Sequence, residues 1–243
     1  TNLDLSFNHD LQYVDISINK IEKLDLSNNP ELVHVNVTGN PLSSLILTDC
    51  PNLKVLSLNS TNINNLDSID LNHCRGLTLL SVAYMDLNSV DVSMLSNLEE
   101  LNIESTPIGH IDLTQNKALK SLMADNAGIT SIDTSTLPNL EYLAIYRNPL
   151  DRIDLSKNPK LRYLDASSCD LSSIDLSHNP ELEKLYLDKN NLTELDLSHN
   201  PKLNHVDIRE NSITQLKLSP DSHLESYDIY YSDNPLNYDD IVR

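Results

Sequence analysis

Residues 140–160 read LEYLAIYRNPLDRIDLSKNPK, and the chain repeats this 21-residue phrase, with variations, along nearly its whole length. A leucine that opens the phrase recurs at 11, 32, 53, 77, 98, 119, 140, 161, 182, 203 and 224, every gap being 21 residues except the 24 from 53 to 77. The shared pattern is LxxLxLxxNxLxxLDLSxNPx, apolar at unit positions 1, 4, 6, 11, 14 and 16, as in Leu140, Leu143, Ile145, Leu150, Ile153 and Leu155. Such self-similarity at a fixed period is read before any local pattern, because it decides the architecture. The spacing divides the chain into a partial repeat at 1–10, ten full repeats over 11–223, and an irregular last stretch at 224–243.

Positions 4 and 6 alternate with outward residues, which is the period of a strand. A 21-residue unit cannot bury six apolar side chains alone, so neighbours must stack and their strands must run parallel, about 4.8 Å apart. The product is a solenoid. Position 9 holds Asn19, Asn40, Asn148, Asn190 and Asn211, whose amides suit the carbonyls and N–H groups of adjacent coils. Thr61, Met85, Thr106, Ala127 and Cys169 interrupt that column.

On these residues the chain resembles the leucine-rich repeat family, whose signature is LxxLxLxxN followed by xLxxL. The 21-residue unit with LDLSxNP in its second half is similar to bacterial cell-surface proteins of the internalin J type. The resemblance implies a right-handed curved coil with a parallel β-sheet on its concave face, short extended or irregular convex segments, few or no α-helices, and a role in binding. In that type a cysteine replaces a core residue in successive units; here positions 4 and 6 are aliphatic and there are only three cysteines. Two irregularities stand out. Three extra residues within 64–68 are expected to bulge on the side away from the main strand. After Leu224, Tyr227, Ile229 and Asn234-Pro235-Leu236 resemble a unit with two extra residues, read as the beginning of a C-terminal cap. The chain starts in mid-unit, so it is expected to be a piece of a longer protein, with self-association through an uncapped end as one consequence.

Charge narrows the partners. With 17 basic against 36 acidic residues the net charge is −19, which opposes nucleic acid and anionic lipid. No run approaches a membrane span, and the opening TNLDLSFNHD carries no signal-peptide pattern. Only four glycines are present, so phosphate-cradling loops are lacking and turns fall to Asn, Asp and Pro. HExxH, GxSxG and paired-cysteine motifs are missing too, so neither an enzyme nor a cofactor or metal site is expected.

One column is acidic. Position 15 is Asp25, Asp70, Asp91, Asp112, Asp133, Asp154, Asp175 and Asp196, with Ile46 and Lys217 as exceptions. A row of calcium sites is one reading; the other has each carboxylate accepting backbone N–H bonds at its own turn, which fits one Asp per coil without glycine. His178 and His199 share position 18 and lack a third metal ligand. Cys50 and Cys74 share position 19, where Asn29, Asn158, Asn179 and Asn200 stand elsewhere, so they read as buried substitutes for Asn; Cys169 reads as a free thiol.

Function is sought where the frame stays constant and the residues vary. Positions 3, 5, 7 and 8 point out from the main sheet, and three adjacent units place Tyr142, Tyr146, Arg147, Tyr163, Asp165, Tyr186 and Asp188 there. Tyr84 lies in an earlier unit of the same series, while others carry small polar residues such as Asn36 and Thr38. Tyr and Arg supply contact area and hydrogen bonds at binding surfaces. Tyrosines on neighbouring rungs also stabilise an exposed sheet with no ligand present. The expected function is a non-catalytic extracellular or cell-surface recognition module for a protein or glycan; the alternative is a structural spacer in a larger surface protein.

Overall fold

A computed structural model describes residues 3–47, 50–66, 69, 71–225 and 228–242. The chain falls into two compact units, 1–119 and 120–243. In the first, β1 (Tyr13–Asp15), β3 (His34–Asn36), β5 (Val55–Ser57), β6 (Leu79–Ser81) and β7 (Glu100–Asn102) lie side by side, while β2 (Lys23–Asp25) and β4 (Ser44–Ile46) pair separately. In the second, β8 (Ser121–Met123), β9 (Tyr142–Ala144), β10 (Tyr163–Asp165), β11 (Lys184–Tyr186), β13 (His205–Asp207) and β15 (Ile229–Tyr230) form the main ladder. There β12 (Glu194–Leu197), β14 (Gln215–Leu218) and β16 (Ile241–Val242) form the second sheet. Every recorded pair is parallel and position 4 meets position 4, as Leu143 meets Leu164 and Leu164 meets Leu185. No α-helix occurs among the described residues, only short 3-10 turns such as Leu71–His73. This is the leucine-rich repeat solenoid that the period implies.

The core is the repeat written inward. Leu140, Leu143, Ile145 and their equivalents from the second full unit to the tenth are buried, while Leu11 and Ile16 of the first are only partly so. Position 14 is less uniform: Leu24, Leu45 and Leu195 are buried, whereas Ile132, Ile153 and Ile174 are half-exposed. Across the 64–68 insertion the sheet keeps its register, Leu56 facing Leu80. Asp67 and Ser68 of that insertion, Asp70 of the acidic column and Tyr227 lie outside the described residues. Near the end, Val206 faces Ile229, so two additional residues are absorbed before the strand.

Asparagine closes many of the coils, at position 9 on one side and position 19 on the other. At position 9, Asn148 Nδ2 donates to Ala124 O (2.8 Å) and Ile145 O (2.7 Å), while its Oδ1 accepts from Ala127 N (3.2 Å) and Ile129 N (2.8 Å). One amide thus ties two coils together and leaves little backbone unsatisfied. Asn190, Asn211 and Asn234 repeat the arrangement. At position 19, Asn158, Asn179 and Asn200 each donate to two carbonyls of the preceding coil. Cys50, Cys74 and Cys169 are all buried. Cys169 Sγ takes the ladder's place, 3.1 Å from Ile145 O, and burial pushes its thiol up to about 12.

The turn after each main strand has a feature absent from the pattern of apolar residues. Position 8 is left-handed in coil after coil, at Ile18, Ser60, Tyr84, Ser105, Asn126, Arg147, Ser168, Lys189 and Glu210, with φ between 51° and 57°, and at Gly39 with φ 69°. Glycine, the residue suited to that conformation, fills it once in this series.

Candidate functional site

The acidic column comes out as scaffolding. Asp25, Asp91, Asp112, Asp133, Asp154, Asp175 and Asp196 each accept the N–H two residues on, at 2.9 to 3.0 Å. Hydrogen bonds from Ser198 lower the Asp196 carboxyl to about 2, and bonds of the same kind hold Asp25, Asp91, Asp112, Asp154 and Asp175 below the usual value. Each carboxylate is committed to its own turn. His178 and His199 are exposed, their Nδ1 atoms 3.0 and 3.1 Å from the hydroxyls of Ser177 and Ser198. No cluster of three or more ligating side chains suits a metal among the described residues.

The outer face of the main sheet in the 120–243 unit is different. Position 3 of β9 and β10 places Tyr142 beside Tyr163, and the rings stack face to face with centroids 4.2 Å apart and planes 9° apart. Tyr163 meets Tyr186 of β11 at 5.5 Å, Tyr186 meets His205 of β13 at 4.7 Å, and His205 meets Tyr230 of β15 at 5.2 Å, all three tilted near 40°. Five rings on five consecutive strands make one continuous run, in the stacked and tilted geometries that aromatic quadrupoles favour. His205 Nε2 is buried within it and has no hydrogen-bond partner among the described residues.

Of the residues singled out from the sequence, Tyr142, Tyr163 and Tyr186 are thus joined in one surface. Tyr146 and Arg147 lie past the end of β9, in the turn, where the Arg147 guanidinium sits 4.9 Å over the Tyr146 ring. Ala144 has no acceptor to offer at position 5, so the Tyr146 N–H is taken by Asp125 Oδ1 of the preceding coil at 2.7 Å. Tyr84 belongs to the 1–119 unit, where its hydroxyl donates to Glu104. His205 and Tyr230 were not anticipated. Histidine is not counted as aromatic in a tyrosine pattern, and Tyr230 falls at position 7 by simple counting, until the two extra residues bring it opposite Asp207.

Carboxylates accompany the rings. Asp165 Oδ1 accepts from Ser167 N at 3.0 Å, and burial, aided by repulsion from Asp188 and Asp207, raises its carboxyl above the usual value. Asp207 is buried and held by Arg209 through Nε at 2.9 Å and Nη2 at 2.5 Å; Arg209 in turn lies 5.8 Å from the Tyr230 centroid. No hydrogen bond or ion pair reaches the Asp188 carboxylate among the described residues. Burial and the neighbouring charges raise the Tyr163 and Tyr186 phenols, so both stay protonated at neutral pH. At the entry of β9–β11 a cleft of about 310 Å³ opens between Glu141, Tyr142, Arg162, Tyr163, Glu183 and Lys184.

No protein-family model matches the chain, and no curated protein does. Solved structures do. The functional domain of InlJ from Listeria monocytogenes, which includes a cysteine ladder, matches with 27% identity and a TM-score of 0.66 over 88% of this chain and 57% of that one. InlF, another Listeria monocytogenes internalin, matches with 15% identity and a TM-score of 0.74, over 97% of this chain and 78% of that one. The mouse RP105/MD-1 complex contains a chain matched with 21% identity and a TM-score of 0.64, over 95% of this chain and 43% of that one. The present chain spans little more than half the length of the InlJ structure. It is internalin-like in fold and in repeat length.

Proposed function

We propose that the chain is a non-catalytic recognition module, acting at a cell surface or as part of a secreted protein, that takes a protein partner on the outer face of the sheet in the 120–243 unit. The observation that carries this reading is the unbroken run Tyr142–Tyr163–Tyr186–His205–Tyr230. A rigid strand frame orders these rings before any partner arrives, so little side-chain entropy remains to be lost on binding. Tyr146, Arg147, Asp165 and Asp188 form its margin. The stacking favours protein over glycan: Tyr142 and Tyr163 each cover one face of the other, and Tyr163, Tyr186 and His205 are met by a ring on either side, which leaves few open ring faces for a sugar to lie on. The mouse RP105/MD-1 complex gives a precedent for the fold in an assembly of two proteins. A spacer role is the second reading, supported by the same stack, since rings that satisfy one another also stiffen a sheet without any ligand.

The deciding experiment compares the chain with a Tyr163→Ala, Tyr186→Ala variant for retention of a panel of extracellular proteins and on a glycan array. Loss of a retained protein, with the melting temperature within a few degrees, supports the module. Equal retention by both proteins removes the aromatic run from the binding surface, and no retention by either favours the spacer.

A further inference from the structure

We infer that the partner segment docked on this face is basic, with lysine or arginine side chains seated beside Asp165 and Asp188 against the edges of Tyr163 and Tyr186. The inference rests on the reading of the aromatic run as a binding surface and adds the partner's chemistry to it. Residues 120–243 carry 21 Asp and Glu against 12 Lys and Arg, and the cations nearest the run are largely engaged. Arg209 is held by Asp207, Lys189 lies 3.6 Å from Glu210, and Arg162 donates to Glu183 at 2.8 and 3.0 Å. Asp165 and Asp188 are left without a direct ion pair among the described residues, Arg209 reaching Asp188 only at longer range and Lys184 standing on the outer face of β11. A carboxylate in that position is stabilised most by a cation that arrives with its own hydrogen-bond donors.

The surface already shows how it receives guanidinium groups. Arg147 over Tyr146 and Arg209 near Tyr230 are intramolecular arginine–tyrosine pairs at either end of the run. Between them, the outer faces of β10 and β11 carry Tyr163, Asp165, Lys184 and Tyr186, so the middle of the run has a lysine but no guanidinium over a ring among the described residues. The 310 Å³ cleft shares Tyr142 and Tyr163 with the run and gives depth for one long side chain beside Glu141. Polyanions meet a field of their own sign, the whole chain being at −19.

The test titrates the intact chain with a short synthetic Lys/Arg–Gly peptide, with a Gly–Ser peptide of equal length and with heparin, at low and high salt. Binding of the basic peptide alone is expected, weakening about tenfold or more as salt screens it. Asp165→Asn with Asp188→Asn is expected to weaken it by about tenfold again, while circular dichroism stays unchanged. Binding that the double variant leaves intact, binding of heparin instead, or no binding of the basic peptide overturns the inference. The two readings fail separately. A panel protein retained through Tyr163 and Tyr186 but indifferent to the aspartate changes leaves the binding surface standing and removes the basic segment; one indifferent to both pairs of changes removes both.

Discussion

Asp165 shows how one residue serves the frame and the surface at once. Its Oδ1 caps the strand exit by accepting from Ser167 N, as Asn36 and Asn102 do from Thr38 and Glu104 in other coils. Its charge strengthens that bond, but burial, with the repulsion of Asp188 and Asp207, opposes the charge more strongly. A folded carboxyl raised above its unfolded value costs stability at neutral pH, and the cost is relieved as pH falls through the folded value. Asp165→Asn keeps the acceptor and removes the charge. It is therefore expected to raise the melting temperature at pH 7 by roughly 1–3 °C, corresponding to about 0.5–1 kcal/mol, with the gain shrinking at low pH. Thermal unfolding at pH 7 and pH 4 checks both parts. A fall in melting temperature at pH 7 would mean that an unseen cation already compensates the charge.

At the scale of the element, the two corners of each coil respond to different changes. The corner after the main strand needs a left-handed residue, and Ile18, β-branched with φ 55° and 86% exposed, is poorly suited to it. The left-handed conformation costs a non-glycine residue about 1–2 kcal/mol, against roughly 0.5–1 kcal/mol of added unfolded-chain entropy for glycine. Ile18→Gly should accordingly stabilise by about 0.5 kcal/mol, read from the urea midpoint; destabilisation would show that the exposed side chain packs usefully. The opposite corner depends on the aspartate column. Those folded carboxyls are depressed, so their stabilisation is present above the unfolded value of about 3.9 and is lost as pH falls toward the folded values, about 2 for Asp196. The urea midpoint should drop between pH 4 and pH 2, and Asp154→Asn, Asp175→Asn and Asp196→Asn together should flatten that dependence, because the acceptor survives without the titration.

At the scale of the whole molecule, the core residues and the residues of the proposed binding face alternate along the same strands. Leu164 is fully buried, whereas its neighbour Tyr163 lies half-buried on the outer face. Leu164→Ala is expected to cost roughly 2–5 kcal/mol through lost burial and a residual cavity, and Tyr163→Ala about 1 kcal/mol through lost cross-strand stacking. Denaturant unfolding of the two variants separates them. Equal losses would mean that the aromatic run is part of the core, which would weaken its assignment to a partner.

The chain's sequence by itself determined the repeat, the parallel strands, the inward leucines and the asparagine corners, because a 21-residue period with six apolar positions has few ways to bury them. It also brought Tyr142, Tyr163 and Tyr186 to notice as deviations from an otherwise constant frame. Only the tertiary structure decided which outward side chains meet. Ring contacts between coils depend on register, and register changed where residues 224–243 absorb two extra residues and bring Tyr230 into line. The same dependence turned Tyr146 and Arg147 toward each other, since the left-handed φ of 57° at Arg147 takes the chain off the sheet just after Tyr146. Apolar periodicity reports which side of a strand is buried; it carries no information on how exposed neighbours, one coil apart, share their faces, charges and hydrogen bonds.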